Sequence, residues 1–358
     1  MTDEWNSQFW RQLLADLVAL PGPPGQENAV RDFLVDFLQQ RAVQTRTDAK
    51  GNVLAWHGDA FPEKPTVVVT AHLDEIALMV SHIDADGAIG VLPLGGAHVW
   101  KWGEGPVELL LRENEFLPGV LSLGSIHTEA AESVIAQARA GNVPTWTNAR
   151  VWTGLDKNAL QQRGVRPGTR VVLARTRRTV FPLVNGLLGA YFWDDRADVA
   201  AWLHAVCTHP APGILWIATA SEETGGEGIL YALRQNSAPI CVALEIGPNV
   251  PDTPVAINDQ PTVWVSDGYA AMQPRDLELL ADCGRELGLE LQWQALSRGG
   301  SDASCAAAAG LCARPVTLAF AAQNSHGFEI MHKDAPQNLA RLLITYLEKV
   351  NKTQGQEP

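Results

Sequence analysis

Near the amino terminus, Phe9, Leu13, Leu14, Leu17 and Val18 recur at helical spacing until Pro21-Gly22-Pro23-Pro24-Gly25 breaks the pattern. Val30, Phe33, Leu34 and Phe37 repeat it over Glu27–Arg41, so the chain opens on two amphipathic helices. A turn at Asp48–Asn52 leads to Thr66-Val67-Val68-Val69-Thr70, a short β-branched run of the kind that forms a buried parallel strand. Runs of the same character return at Gly213–Thr219, Pro239–Leu244 and Pro315–Ala321. The segments Asp198–Val206, Gly226–Leu233, Leu277–Leu287 and Asn338–Val350 read as helices. Strands alternating with helices predict an α/β fold, with a mixed, mostly parallel sheet flanked by helices.

The stretch from Leu78 to Arg178 has another texture: many glycines, short alternating segments, and turn signals at Asp86-Gly87, Gly95-Gly96 and Gly164-Val165-Arg166-Pro167-Gly168. Val107–Leu111, Gly119–Leu123 and Arg170–Ala174 read as short strands. The pattern predicts a discontinuous main domain, residues 1–77 and 179–358, interrupted by a β-rich domain over 78–178. No internal repeat stands out, and Asn351–Pro358 reads as a disordered end.

Length and composition narrow the picture. A chain of 358 residues, 46% apolar and 19% charged, has room for two domains and a substantial core. Its formal net charge of -13 argues against nucleic acid and anionic membranes as partners, which need clustered Lys and Arg. Cys207, Cys241, Cys283, Cys305 and Cys312 are scattered with no CxxC pair, which fits core thiols in a reducing compartment. The start MTDEWNSQFWRQLL lacks the basic and apolar regions of a signal peptide, and no apolar run reaches membrane-spanning length. These features predict a cytoplasmic protein.

The candidate chemistry sits where the apolar runs end. Thr66–Ala71 runs into His72-Leu73-Asp74, Gly213–Ala220 into Ser221-Glu222-Glu223, Pro239–Leu244 into Glu245, and Pro315–Ala321 is followed by Asn324-Ser325-His326. In open α/β sheets, sites lie beyond the carboxyl ends of the strands. Four strand ends therefore bring two imidazoles and several carboxylates to one rim. Each piece alone has an ordinary reading. A lone His after a strand is commonly a satisfied polar residue, and Glu222-Glu223 is compatible with a solvated pair at a helix start. Asp194-Asp195-Arg196 and Glu245 are compatible with helix caps. Together, imidazole and carboxylate donors without thiolate suit zinc, cobalt or manganese. Two such ions need about five protein ligands, a number available here. Asp74, two residues from His72 on an extended chain, is placed to hold the second ring nitrogen.

Rival chemistries find little support. Gly225-Gly226-Glu227-Gly228 is not followed by the Lys-Ser/Thr of a phosphate loop, and Ser297–Ser304 lacks a nucleophile elbow. The twelve Trp residues are dispersed, with Trp100 and Trp102 expected to pack the inserted domain rather than bind sugar. His82, His98, His127, His204 and His209 fall outside the strand-end pattern and read as structural or surface residues; His332 follows His326 closely enough to face the site.

Taken in order, Ala71-His72-Leu73-Asp74-Glu75-Ile76-Ala77-Leu78-Met79-Val80, Asp194-Asp195-Arg196, Glu222-Glu223-Thr224-Gly225, Gly299-Gly300-Ser301-Asp302-Ala303 and the late His326 resemble the motif series of the M42 metallo-aminopeptidases, relatives of the M20 and M28 peptidases. Gly95-Gly96, Pro118-Gly119-Val120 and Arg166-Pro167-Gly168 are similar to that family's lid domain. The resemblance implies a zinc-peptidase-like domain with an inserted lid or dimerisation domain, and two divalent metal ions, zinc or cobalt ahead of manganese. It implies His72 and His326 as terminal ligands, Asp194 as the bridge, and Glu223 and Glu245 as ligands of one ion each. Glu222 would be the general acid/base toward a water shared by the ions, Asp74 would orient His72, and Asp194–Asp195 would be joined by a cis bond. The substrates implied are short peptides with a free N-terminus, and the assembly a homo-oligomer, from dimer to dodecamer.

Three departures from the family pattern stand out: Glu245 where Asp is usual, Ala77 for a frequent Gly, and His326-Gly327-Phe328-Glu329 in place of His-Ser-Pro-x-Glu. An M20-like amidase, deacylase or carboxypeptidase is the alternative enzyme reading, and a scaffold with a decayed site the non-enzymatic one.

Overall fold

The computed structural model describes residues 4–112 and 115–354, with the side chains of 353 and 354 left aside. The chain enters through helices Ser7–Ala19 and Asn28–Gln39, the first capped by the Asn6 side chain, which accepts from the N–H groups of Gln8 and Phe9. Strands β1 (Gln44–Thr47), β2 (Val53–Trp56) and β3 (Val67–His72) follow. The expected turn at Asp48–Asn52 joins the first two, its Asp48 Oδ1 accepting from the N–H groups of Lys50, Gly51 and Asn52.

Next come β4 (Ala77–Ile83), β5 (Ile89–Leu94), β6 (Gly105–Leu110), β7 (Phe116–Ser122), β8 (Arg150–Trp152) and β9 (Arg170–Leu173). These six close into a barrel in the order β4-β5-β8-β7-β6-β9. Along β7, side chains alternate between interior and exterior, as a closed sheet requires. The barrel has its own core around Leu78, Val107, Leu109, Leu121, Val151, Val171 and Trp102. Trp100, expected inside it, is 54% exposed and stacks on His98 instead; only Trp102 turns inward.

The remaining strands are β10 (Phe181–Pro182), β11 (Leu187–Tyr191), β12 (Ile214–Thr219), β13 (Ile240–Pro248), β14 (Pro261–Ser266), β15 (Gln292–Ala295), β16 (Arg314–Ala322) and β17 (Phe328–His332). The main sheet has the order β1-β2-β12-β3-β13-β16-β14-β15, and β10-β11-β17 form a small antiparallel sheet beside it. The main sheet is mixed, with four parallel and three antiparallel pairings. Its centre, β12-β3-β13-β16, is parallel and β14-β15 also pair in parallel, whereas β1-β2, β2-β12 and β14-β16 are antiparallel.

β3 and β12 are buried along their whole length because helices cover both faces, which is why they read as unbroken apolar runs. On one face lie Trp193–Thr208, Ala335–Gln354 and the first helix, with Trp202 Nε1 donating to the Val69 carbonyl at 3.1 Å. On the other lie Glu227–Gln235 and Asp302–Ala308, through Ile229, Leu233, Ala303 and Ala306. The last helix runs to Gln354, so residues 351–354, expected to be disordered, are helical; the rest of that segment lies outside the described residues. Among the described residues no helix is long and apolar enough to cross a membrane. All five cysteines are free thiols.

Candidate metal centre

The carboxyl ends of the central strands carry the residues singled out above. His72 closes β3, Glu222 and Glu223 follow β12 in a turn where Ser221 takes φ 57°, and His326 sits in the turn after β16 with φ 59°. Glu245 does not end its strand: β13 continues to Pro248, with Glu245 paired opposite Ala319 of β16. Asp194 opens the helix Trp193–Thr208 and is joined to Asp195 by a cis peptide bond, as the resemblance implied.

A network of buried polar groups fixes these backbones. The Asp74 carboxylate accepts from the Glu222 N–H at 2.9 Å and the Glu223 N–H at 3.1 Å, folding the acidic turn onto β3. Arg196 donates to the Leu73 and Asp74 carbonyls at 2.8 and 3.3 Å and pairs with Glu75 at 2.7 Å. Arg178, just past the barrel, pairs with the same carboxylate. The His72 N–H donates to Asp195 at 2.5 Å. Gly22 is required beside this network: a Cβ there would lie 2.8 Å from Arg196 Nη2 and 2.9 Å from the Leu73 carbonyl oxygen.

Asp194 stands between the two imidazoles. Its Oδ1 lies 3.0 Å from His72 Nε2, and its Oδ2 lies 3.5 Å from His326 Nε2. His326 Nε2 is also 3.7 Å from Glu223. The other ring nitrogen of each His meets a backbone carbonyl. His72 Nδ1 is 3.1 Å from that of Asp74, with the Asp74 carboxylate at 3.5 Å, and His326 Nδ1 is 3.2 Å from that of Gly96. Those contacts leave both Nε2 atoms facing Asp194. Ligand atoms within 4.8 Å of one another occur in the groups His72, Glu222, Glu245 and His72, Asp194, Asp195, and in the group Asp194, Glu223, His326. The five expected ligands, with Glu222 and Asp74, thus meet in one place. His332 does not join them; it pairs across β17 with Leu187 and lies near Asp334.

The electrostatics show what the cluster lacks. Burial lowers the affinity of His72 for a proton, yet Asp195, Asp194 and Asp74 outweigh it and hold the imidazole well above its ordinary pKa. Burial would raise Asp194, but His326 and His72 hold it below the usual carboxylate range. Glu223 is pushed up to about 7 by burial, against the pull of His326. Glu222 and Glu245 are raised well above the ordinary glutamate value, again first by burial and then by neighbouring carboxylates. Asp195 Oδ1 and both carboxylate oxygens of Asp198 are buried with no hydrogen-bond partner. Two imidazoles cannot neutralise this many buried acids, and such a cluster is costly without compensating positive charge. Oxygen and imidazole donors, no thiolate, and one carboxylate with an oxygen toward each imidazole fit a pair of divalent cations.

The cluster opens on a cavity of about 420 Å³, whose far walls include Trp264, Tyr269, Leu296, Arg298 and Cys305. Glu329, which the late motif contained without a role, has two oxygens that accept from the N–H groups of Asp194 and His326 at 3.1 and 2.8 Å. Sequence reasoning did not find the Gly96 carbonyl. The Gly95-Gly96 turn signal was visible, but its approach to His326 was not.

The fold of this chain is similar to that of solved aminopeptidases. An aminopeptidase from the archaeon Desulfurococcus kamchatkensis superposes with a TM-score of 0.85 at 22% identity, covering 99% of each chain. The Pyrococcus horikoshii TET1 peptidase, described as assembling into a tetrahedron or a large octahedral shell, gives 0.80 at 20% identity, covering 94% of this chain and 98% of that one. Residues 51–342 match the family described as M42 glutamyl aminopeptidase, and the chain belongs to that family. Glutamyl aminopeptidase of Lactococcus lactis subsp. cremoris is 24% identical over 349 residues, 93% of this chain and 96% of that protein. Lysyl aminopeptidase of Pyrococcus furiosus is 42% identical over 87 residues, a stretch that spans only 24% of each protein.

Proposed function

We propose that this protein is a di-metal aminopeptidase that removes N-terminal residues from short peptides. The observation that carries the reading is Asp194, whose two carboxylate oxygens each face a different imidazole. In this reading one ion is held by His72, Asp194 and Glu245 and the other by Asp194, Glu223 and His326. When bound, the ions supply Lewis acidity toward the scissile carbonyl and lower the pKa of water; zinc or cobalt suits the donors best, with manganese also compatible.

Glu222, although its carboxylate comes within reach of His72 and Glu245, is assigned in this reading as the acid/base rather than a ligand: it lines the cavity and would take a proton from the attacking water and return it to the leaving amine. Burial, then the neighbouring carboxylates, raise its proton affinity above that of an ordinary glutamate. Asp74 orients His72 and holds the Glu222–Glu223 turn against it. The substrate's free amine would sit near the end of the cavity where Glu223 and Glu245 stand, beside one ion, so that only exposed N-termini fit.

Residues 1–77 and 179–358 form the catalytic domain in this account, and residues 78–178 form a lid whose Gly96 reaches the site. A homo-oligomer follows by analogy with the TET1 peptidase. The test is hydrolysis of aminoacyl-anilides, with N-acetylated controls, after chelation and re-addition of zinc, cobalt or manganese. Metal-restored cleavage of the free-amine set alone is expected; cleavage of the acetylated set instead would move the protein to an M20-like deacylase.

A further inference from the structure

Glu329 is 1% exposed on β17, and its carboxylate is engaged by two amides from separate parts of the chain. Oε2 accepts from the Asp194 N–H at 3.1 Å and Oε1 from the His326 N–H at 2.8 Å. β17 pairs with β11 so that Glu329 lies opposite Ala190, and β11 leads directly into Asp194. One rigid planar group thus ties the start of the Asp194 helix to the His326 turn.

That turn needs tying. His326 has φ 59° and Asn324 φ 66°, left-handed conformations that non-glycine residues hold only when their surroundings impose them. Glu329, three residues on, folds back to accept from the His326 amide. An amide side chain in its place would offer one acceptor and set an NH₂ group against the second N–H, leaving a buried donor unpaired.

Resting on the two-ion reading above, we propose that Glu329 is a positioning residue for the ion shared by Asp194, Glu223 and His326. It fixes the separation of the Asp194 and His326 backbones without touching the ion. The ion on the His72 side shares Asp194 but takes its other ligands from β3 and β13, so it depends less on Glu329 than the ion that uses both Asp194 and His326.

The test titrates cobalt into metal-free wild-type protein, Glu329→Gln and Glu329→Asp against a chromophoric chelator, with circular dichroism of each metal-free protein as a check on folding. Wild type is expected to bind two ions per chain. Glu329→Gln should bind one ion about 10- to 100-fold more weakly, the usual cost of losing a partner that orients a ligand, and the other with a clearly smaller loss. Glu329→Asp keeps two acceptors on a shorter arm and should recover part of that loss; it also carries the test if the Gln variant fails to fold. Two ions bound with unchanged affinity in a folded variant would overturn this proposal alone. Fewer than two in wild type would overturn the two-ion reading and this proposal with it.

Discussion

The two halves of the centre are built differently. His72 ends a fully buried central strand, is 2% exposed, and is boxed in by Asp195, Asp194 and Asp74. His326 sits in a left-handed turn, its side chain is 30% exposed, and it is held by Glu329 and by Gly96 of the barrel. Lys101 of the barrel braces the same turn through Asn324 at 2.5 Å. Ligands on a rigid sheet are pre-organised, whereas ligands on a loop shared between two bodies need outside support. If the proposed two-ion reading holds, the two sites are unequal: the His72 side should bind more tightly, and the His326 side should exchange more readily and respond to the barrel.

The largest effect should come from removing what the halves share. Asp194→Ala should abolish both ions in metal analysis and lower kcat/KM by at least about 10³-fold, the scale of several kcal/mol of lost transition-state stabilisation. Glu222→Gln belongs to neither half. It should keep both ions while kcat falls about 10²- to 10⁴-fold, and retention of full activity would remove Glu222 from its role.

Two glycines separate the halves most sharply. A Cβ at Gly96 would lie 2.4 Å from His326 Nδ1, so Gly96→Ala should displace that ring and cost about 10- to 100-fold in kcat/KM with little change in melting temperature. A Cβ at Gly22 would press on Arg196 and the Leu73 carbonyl. Gly22→Ala should therefore appear in thermal unfolding, at about 1–3 kcal/mol, before it appears in exchange of the His326-side ion. Similar behaviour of the two variants would erase the distinction.

The smallest effect concerns pH. In metal-free protein, His72 is held above its ordinary pKa of 6.5 and Glu223 is raised to about 7. Both groups favour the folded state when protonated. The Glu223 contribution is complete below its unfolded value of 4.5 and is lost as pH rises toward about 7. The His72 contribution is complete below 6.5 and is lost only as pH rises through its higher folded value. The melting temperature of chelated protein should fall from pH 5 to pH 9, whereas that of metal-loaded protein should change less; parallel curves would contradict this.

How much was legible in the sequence follows from the same contrast. The His72 half was readable because buried parallel strands announce themselves as apolar runs, and their ends mark where ligands fall. Both opening helices, the covering helices Trp193–Thr208, Glu227–Gln235 and Ala335–Gln354, and β3, β12, β13 and β16 were found for that reason, whereas the covering helix Asp302–Ala308 was not. Glu245 was misplaced by three residues because its strand runs past the apolar segment, sustained by pairing with β16. β1 is polar and mostly exposed and β17 alternates, so neither resembled a core strand. Without β17 there was no way to see Glu329 opposite Ala190, or Gly96 against a histidine 230 residues away. Contacts that close only in three dimensions, above all between barrel and sheet, leave no local trace in the chain.

The most direct measurement is anomalous diffraction from crystals of the protein equilibrated with zinc. The account predicts two peaks per chain, one touching His72, Asp194 and Glu245 and the other touching Asp194, Glu223 and His326, with the second weaker at limiting zinc. A single peak, or peaks away from Asp194, would contradict it.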